Sequence, residues 1–468
     1  MISVPKVPLQ LTWDITNVCP AKCIHCYNAS NPKEERTSKV FIEKGLENIL
    51  EIKPLYIGIG GGEPLTSPYL DYIINTLYDV MGKHMPKTVI GTNGLLIKRK
   101  EDFLKRMVDM YDRVPYIVLF YLSLHGSNPL IHDKVMGIKG AWRSLMEGIT
   151  LLKKYGIPFG VGVTPLRTNF HDLDHIVELA QKIGATAVNI SQFVPTGRGT
   201  YDLDLTKEEY RQLINWIIRK NAELGTPYVF THEHYMALVD RELLENEFFI
   251  GCTAGIYQIA IKPDGNLTPC PLLPLKVGNI LNDEIVKVWL KNPLLLSLRN
   301  RTTHKETCGS CSLKYKCGGC RSVAYAYTGD YKGTDVKCPY SEADVESVNA
   351  TIKKHTIRKK ETTLAPMIKD VERFTFLKLD VPYVHAYDNA LMVLNRYREE
   401  MMQVSGKAAE VYELIPDADK KPILYADLKE EYEQRYHVPF PQGELVHLLL
   451  SGIVLYNEGK FNELLSKN

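Results

Sequence analysis

Extended apolar segments alternate with helical patterns over the first two hundred residues, and this alternation constrains the fold more than any other feature. The segments are LQLTWDI, LYIGIG, TVIGT, YIVLFYLSL, FGVGVTPL and AVNISQFV. Between them Leu70, Ile73, Ile74, Leu77 and Met81 recur at the spacing of one helix face. Trp142, Leu145, Met146 and Ile149 make a second face, and Leu173, Ile176, Val177, Ala180 and Ile183 a third. Ser67 before Pro68 predicts a helix start, with Ser67 as N-cap. Strands that alternate with helices pair in parallel, because only a crossover can join parallel neighbours. Six such units fall short of the eight of a closed barrel. The expected fold is therefore α/β, a partial (β/α)6 TIM-like barrel over residues 1–200.

At 468 residues the chain exceeds one core and predicts roughly two to four domains. A net charge of +2 gives no bulk attraction to nucleic acid or to an anionic membrane, so neither is expected as a partner. No apolar run approaches the roughly 20 residues of a membrane span, and MISVPKVPLQLTWD has no signal-peptide core. A cytoplasmic location follows, where thiols stay reduced. All ten cysteines are accordingly read as ligands, nucleophiles or buried residues rather than disulfides.

After the first strand, CPAKCIHC supplies Cys19, Cys23 and Cys26. Three thiolates on one short loop grip three irons of a [4Fe-4S] cube and leave the fourth open. Structural zinc wants four ligands, and no further cysteine or well-placed histidine follows nearby. His25, inside the triplet, is either a loop residue or a ring packed near the cluster. After the second strand comes GGEP, from Gly61 to Pro64.

CPAKCIHC and GGEP together resemble the radical S-adenosylmethionine (SAM) superfamily, whose signature is CxxxCxxC, with His25 where the family usually carries an aromatic. The resemblance implies that Gly61, Gly62, Glu63 and Pro64 bind SAM and that a 5′-deoxyadenosyl radical abstracts hydrogen from the substrate. Both motifs sit at carboxyl ends of strands, where ligands collect in parallel α/β folds. Glycines let backbone approach a small molecule, and Glu63 offers a carboxylate to methionine's ammonium. Other strand ends add Thr92 and Asn93 in GTNG, Ser123 in YLSLHG, Thr164 and Arg167 in VTPLRTN, and Phe193 and Val194. Relatives often read S-x-D-G at the fourth strand, so His125 departs from the family there.

The remaining cysteines are Cys252, Cys270, Cys308, Cys311, Cys317, Cys320 and Cys338. Their pattern, C-x12-G-x4-C followed by CGSCSLKYKCGGC, resembles the SPASM extension of radical SAM enzymes, which carries two auxiliary [4Fe-4S] clusters. One departure is C-x2-C at Cys317 and Cys320, where many members have C-x3-C. The resemblance implies three [4Fe-4S] clusters in all. In its interleaved connectivity Cys308, Cys311, Cys317 and Cys338 complete an outer cube, and Cys252, Cys270 and Cys320 hold an inner one. The inner cube then has a fourth iron open to a substrate thiolate, or capped by water, a carboxylate or a histidine; zinc is the other occupant.

The expected domains are the barrel (1–200), connecting helices (201–250), the SPASM segment (251–342), a basic linker (343–370) and a small domain (371–468). Thr206 with Glu209 forms a capping box that opens a helix through LINWII. In the last domain YVHAYDNALMVLNRYREEMMQVS reads as strands, and GKAAEVYELI, YADLKEEYEQRY and GELVHLLLSGIVLY as helices. This resembles the PqqD-like, winged-helix-like α+β fold of the pyrroloquinoline quinone pathway's peptide chaperone. The resemblance implies that a leader peptide adds a strand to the sheet edge near Glu399 to Val404, beside a helix at 443–453. A DNA-binding winged helix would want a basic stripe, and this tail has none.

Together these features predict a radical SAM/SPASM maturase that forms a thioether or C–C cross-link in a ribosomal precursor peptide, fed by an electron donor such as ferredoxin or flavodoxin. The alternative enzyme is an oxidative decarboxylase of a tetrapyrrole, suggested by the likeness of CGGCRSVAYAYTGDY to alternative haem synthesis. A plain iron–sulfur carrier or peptide scaffold would not need the intact triplet with GGEP. No general acid or base stands out.

Overall fold

In a computed structural model the chain forms two compact units, residues 1–357 and 358–468. The structure describes residues 4–34, 37–111, 117–226, 228–231, 234 and 249–340, and most of 375–457. The expected linker, 343–370, lies outside the described residues.

The first unit is built on one ten-stranded sheet. Its strands are β1 (Gln10–Asp14), β2 (Tyr56–Gly60), β3 (Lys87–Thr92), β4 (Val118–Ser123), β5 (Phe159–Val163), β6 (Val188–Ile190), β7 (Val229–Thr231), β8 (Gln258–Ile261), β9 (Asn266–Thr268) and β10 (Gly278–Asn279). β1 to β7 run parallel in sequence order. Helices α1 (Lys39–Ile52), α2 (Leu70–Met81), α3 (Glu101–Tyr111), α4 (Pro129–Met136), α5 (Ala141–Lys154), α6 (Leu173–Ile183) and α7 (Lys207–Leu224) form the crossovers.

The strands alternate two kinds of residue. Leu11, Trp13, Ile57, Ile59, Ile90, Phe120, Leu122, Val161 and Val188 are buried in one core with the helix faces expected from the sequence. The other face carries Thr12, Gly58, Gly60, Gly91, Tyr121, Gly162 and Asn189, which line internal cavities. Period-2 alternation places these sets on opposite sides. Glycine on the inner face removes the side chains that fill an ordinary barrel, so the strands enclose a lumen. Tyr121 lies across the glycines of β5: a Cβ at Gly160 would fall 2.8 Å from its ring.

Two parts of this unit differ from the sequence reading. The segment 201–250 holds more than helices, since β7 extends the sheet beyond β6. The cysteine-rich segment also does not stand apart, because β8 pairs in parallel with β1, Gln10 opposite Gln258, and β9 and β10 continue antiparallel. The capping box forms as expected at the start of α7, with Thr206 Oγ1 accepting from the Glu209 N–H at 3.2 Å. Ser67 accepts from the Tyr69 N–H, but α2 itself begins at Leu70.

In the second unit β11 (Thr375–Lys378) lies between β15 (Ile423–Leu424) and β16 (Val454–Asn457), and β12 (Tyr383–Tyr387), β13 (Ala390–Asn395) and β14 (Glu400–Ser405) form a meander. Helices Lys407–Leu414 and Tyr425–Tyr436 pack Val411, Tyr412, Leu428 and Tyr432 into a separate core. Among the described residues β14 pairs only with β13 and is therefore an edge. One helix expectation is corrected: GELVHLLLSGIVLY does not continue to its end as a helix. Its last residues form β16, where Tyr456 pairs with Phe376; the β-branched and aromatic run after Gly452 suits a strand.

Among the described residues no helix is long and apolar enough to cross a membrane.

Candidate functional site

The carboxyl ends of β1 to β6 gather at one rim of the lumen, and the cysteine triplet follows β1 directly. Its loop is held by backbone rather than by sulfur. Cys19 N–H donates to Asn31 O at 3.2 Å, Lys22 N–H to Met136 O at 3.1 Å and Ile24 N–H to Val135 O at 3.0 Å, so the end of α4 braces it. From the loop after β6, Arg198 donates through Nε to Cys23 O at 3.0 Å and through a terminal nitrogen to Ser30 O at 2.7 Å. Its own N–H reaches Cys26 O at 2.9 Å.

Gly197 makes this approach possible. It has φ +63°, and a Cβ there would lie 2.4 Å from the carbonyl oxygens of both Cys26 and Tyr27. Gly197→Ala is expected to displace the triplet loop and lower iron occupancy, the left-handed backbone alone costing about 1–3 kcal/mol. Gly156 has φ +64° with nothing near its Cβ position, so Gly156→Ala carries the strain without the clash. Equal iron content in the two variants would refute the steric account.

Burial pushes the thiols of Cys19 and Cys23 up to about 12, with Arg198 opposing the shift at both. Thiols this reluctant to ionise give up their protons to a metal, whose charge replaces them. Asn93 Nδ2 donates to Cys19 Sγ at 3.6 Å, and the Arg198 cation sits close by. Both suit an anionic cluster. Among the described residues no three Cys, His, Asp or Glu side chains gather closely enough for a single ion, whereas a cubane takes each thiolate on a separate iron.

Gly61 has φ +116°, and a Cβ on Gly62 would meet Val18 O at 2.4 Å, so GGEP packs its backbone directly on the triplet loop. Asn28 Nδ2 fastens the two by donating to Gly61 O at 3.2 Å and Asp14 Oδ2 at 3.1 Å. Lys262, just past β8, pairs with Asp14 and donates to Asn28 Oδ1 at 2.7 Å.

Glu63, the carboxylate expected to meet a ligand's ammonium, is held through both of its oxygens by protein donors. It has no exposed surface and accepts from Thr92 Oγ1 at 2.7 Å, Asn93 N–H at 2.8 Å and Leu65 N–H at 3.1 Å. These three donors make it the tie between the loops after β2 and β3. Thr92 and Asn93 are thus buried partners of Glu63.

Ser123, Thr164, Phe193 and Val194 line a cavity of about 410 Å³ under the rim, with His25, Tyr27, His125 and Gln192. Arg167 stands outside it, exposed, bonded through its backbone to Leu203 O. His125 packs edge-on against His25 at 4.5 Å between ring centroids. Burial lowers His25 to about 4 and holds His125 well below the usual imidazole range, so both rings are neutral at pH 7.

A second cavity, about 490 Å³, occupies the other end of the lumen and shares Gly91, Tyr121, Asn189, Pro271 and Leu272 with the first. Cys252, Cys270 and Cys320 all face it, with His234 and Ser322. The other four cysteines neighbour one another: burial chiefly raises the thiols of Cys317 and Cys338, and Cys338 and Cys308 add to the shift at Cys317, as Cys308 and Cys311 do at Cys338. Buried Arg321 donates to Cys308 Sγ at 3.6 Å, and the Asp335 N–H to the same sulfur at 3.3 Å.

A family model described as the radical SAM superfamily matches residues 13–180, the span that holds the triplet, GGEP and most of the barrel. The chain is a radical SAM enzyme. A second model, SPASM, described as an iron–sulfur cluster-binding domain, matches residues 252–312. This radical SAM enzyme thus uses SAM and [4Fe-4S] clusters as cofactors. The SPASM match contains Cys252, Cys270, Cys308 and Cys311; Cys317, Cys320 and Cys338 lie beyond it.

The enzyme is 29% identical over 360 residues to the AdoMet-dependent heme synthase of Methanosarcina barkeri, across 73% of this chain and 99% of that relative. It is 29% identical over 347 residues to the mycofactocin maturase MftC of Mycolicibacterium smegmatis, across 71% and 82%. To AlbA, the antilisterial bacteriocin subtilosin biosynthesis protein of Bacillus subtilis, it is 26% identical over 321 residues, across 67% of each. In fold it matches Streptococcus suis SuiB bound to SAM, with a TM-score of 0.58 at 20% identity over 71% of this chain and 77% of that one. anSMEcpe with bound AdoMet gives 0.57 at 18% over 75% and 100%.

Several residues of the radical SAM site escape a reading of the sequence. Arg198, Asn28 and Lys262 act over long sequence separations and match no motif. Only the close spacing of Gly197 and Gly199 in PTGRG hinted that backbone passes close to backbone there.

Proposed function

We propose that this radical SAM/SPASM enzyme is a maturase that cross-links a ribosomally made precursor peptide. When bound, the clusters and SAM supply a hydrogen-abstracting 5′-deoxyadenosyl radical and one-electron acceptors. Cys19, Cys23 and Cys26 hold the SAM-binding cube. Cys252, Cys270 and Cys320 hold an inner auxiliary cube, and Cys308, Cys311, Cys317 and Cys338 an outer one, making three; the grouping of these side chains supports that division. Reduction comes from a ferredoxin or flavodoxin. The substrate side chain sits in the lumen near Tyr121 and Asn189, between the two cavities, where neutral His25 and His125 add no charge to the radical-bearing end.

The carrying observation is the second unit. The heme synthase match takes in 99% of that relative and only 73% of this chain, so about a quarter of this chain is additional to it. Residues 358–468 have their own core and the edge strand β14. A leader peptide adding a strand at β14 gains main-chain hydrogen bonds, as peptide-recognition sheets do. A porphyrin needs no such edge. The heme synthase identity nonetheless favours a second reading, oxidative decarboxylation of a tetrapyrrole propionate.

Anaerobic incubation of the iron-loaded protein with reductant, SAM and candidate precursor peptides tests both. Loss of two hydrogens from a peptide, matched by 5′-deoxyadenosine and dependent on its leader, is the expected result. Loss of carbon dioxide from a propionate-bearing porphyrin, with peptides untouched, would replace this reading by the second.

A further inference from the structure

A cubane presents four irons, and the inner cavity presents three cysteines, Cys252, Cys270 and Cys320. Its other polar lining includes neutral hydroxyls and amides such as Thr12, Gln258 and Ser322, which bind iron poorly beside sulfur and imidazole. Ser322 is already engaged, its Oγ 3.2 Å from Cys270 Sγ. Among the described residues the remaining soft donor on the cavity wall is His234, 1% exposed and three residues beyond β7.

The surroundings of His234 match those of a metal-bound imidazole. Its Nε2 stands 3.9 Å from Asp335 Oδ2. Asp335 is itself buried, and the same oxygen accepts the backbone N–H of Cys320 at 2.7 Å. Its other oxygen takes the Lys337 N–H at 3.1 Å. One carboxylate thus accepts from the backbone of a cluster cysteine and lies within ion-pair range, 3.9 Å, of one nitrogen of the histidine. Ligating histidines commonly hold one ring nitrogen against a carboxylate while the other binds metal.

We propose that His234, through Nδ1, is the fourth ligand of the cube held by Cys252, Cys270 and Cys320, with Asp335 as the residue that positions its ring. This rests on the assignment of those three cysteines to one cube. A neutral imidazole in place of a thiolate makes the cluster less negative and easier to reduce. It also leaves one corner closed by a ligand that a substrate thiolate can displace.

The test uses full-length protein with Cys19, Cys23 and Cys26 replaced by alanine, loaded with iron anaerobically and reduced, so that only the auxiliary cubes give a signal. Pulsed EPR of samples grown with ordinary or 15N-labelled histidine is expected to show coupling to a directly bound imidazole nitrogen that changes with the label. His234→Ala should abolish this coupling with little loss of iron. His234→Cys should abolish it while lowering the midpoint potential of one cube. A full iron complement with no histidine coupling, or coupling that survives His234→Ala, overturns the proposal. Iron falling to one cube before His234 is touched would overturn the cysteine assignment beneath it instead.

Discussion

Protein in which Cys19, Cys23 and Cys26 are all alanine is expected to form 5′-deoxyadenosine no faster than a protein-free control. Enzymes commonly accelerate their reactions by about 10⁶-fold or more, and that whole factor is at stake here. The loop itself should survive, because its anchors are the backbone bonds to Asn31, Val135 and Met136 and the bonds from Arg198, none of which uses sulfur. Iron should drop by one cube with the circular dichroism spectrum unchanged. Nucleoside release measured by chromatography decides the matter: deoxyadenosine formed at the parent rate by this variant would remove the triplet from the chemistry.

The second large effect concerns stability. Lys337 Nζ lies 2.5 Å from Asp204 Oδ2 and 2.5 Å from Phe193 O, with both side chains only 3% exposed. Tyr210 and Tyr327 donate their hydroxyls to Asp204, and the rings of Phe193, Tyr210 and Tyr327 surround the ammonium. Burial lowers the Lys337 pKa, and Asp204 is the chief group opposing that shift. Asp204→Ala therefore strands a cation, at a cost of about 3–5 kcal/mol. Lys337→Met leaves Asp204 with two hydroxyl donors and should cost less, and the double variant should recover most of the loss. Thermal unfolding of the loaded protein should rank Asp204→Ala lowest. Lys337 is next to Cys338 and touches Phe193 in the cavity wall, so iron should be lost in the same order. An Asp204→Ala midpoint equal to the parent's would refute the argument.

Much of this molecule was legible because its signals are local. The triplet and GGEP each fit within a few residues, as does the Thr206–Glu209 box, and each depends on neighbours in sequence. The glycines of LYIGIG and FGVGV marked the strands and, in retrospect, the lumen face as well. α4 was missed although Asn128 before Pro129 carries its start, with Asn128 Oδ1 accepting from the Ile131 N–H at 3.2 Å. β7 is three residues long, too short for periodicity to register. The three protein donors of Glu63 could not be foreseen, because a carboxylate looks the same in sequence whatever donors surround it. His234, Arg198 and Lys262 act on groups far away along the chain, a relation that spacing cannot express.

The parallel pairing of β8 with β1 carries a consequence for how the molecule is made. Gln10 leaves the ribosome 248 residues ahead of its partner Gln258. At roughly 5–20 residues per second, that strand waits some 10–50 s with one row of amides and carbonyls bare. During that interval the nascent chain holds a parallel sheet with an adhesive border, and translation past Ile261 is what seals it.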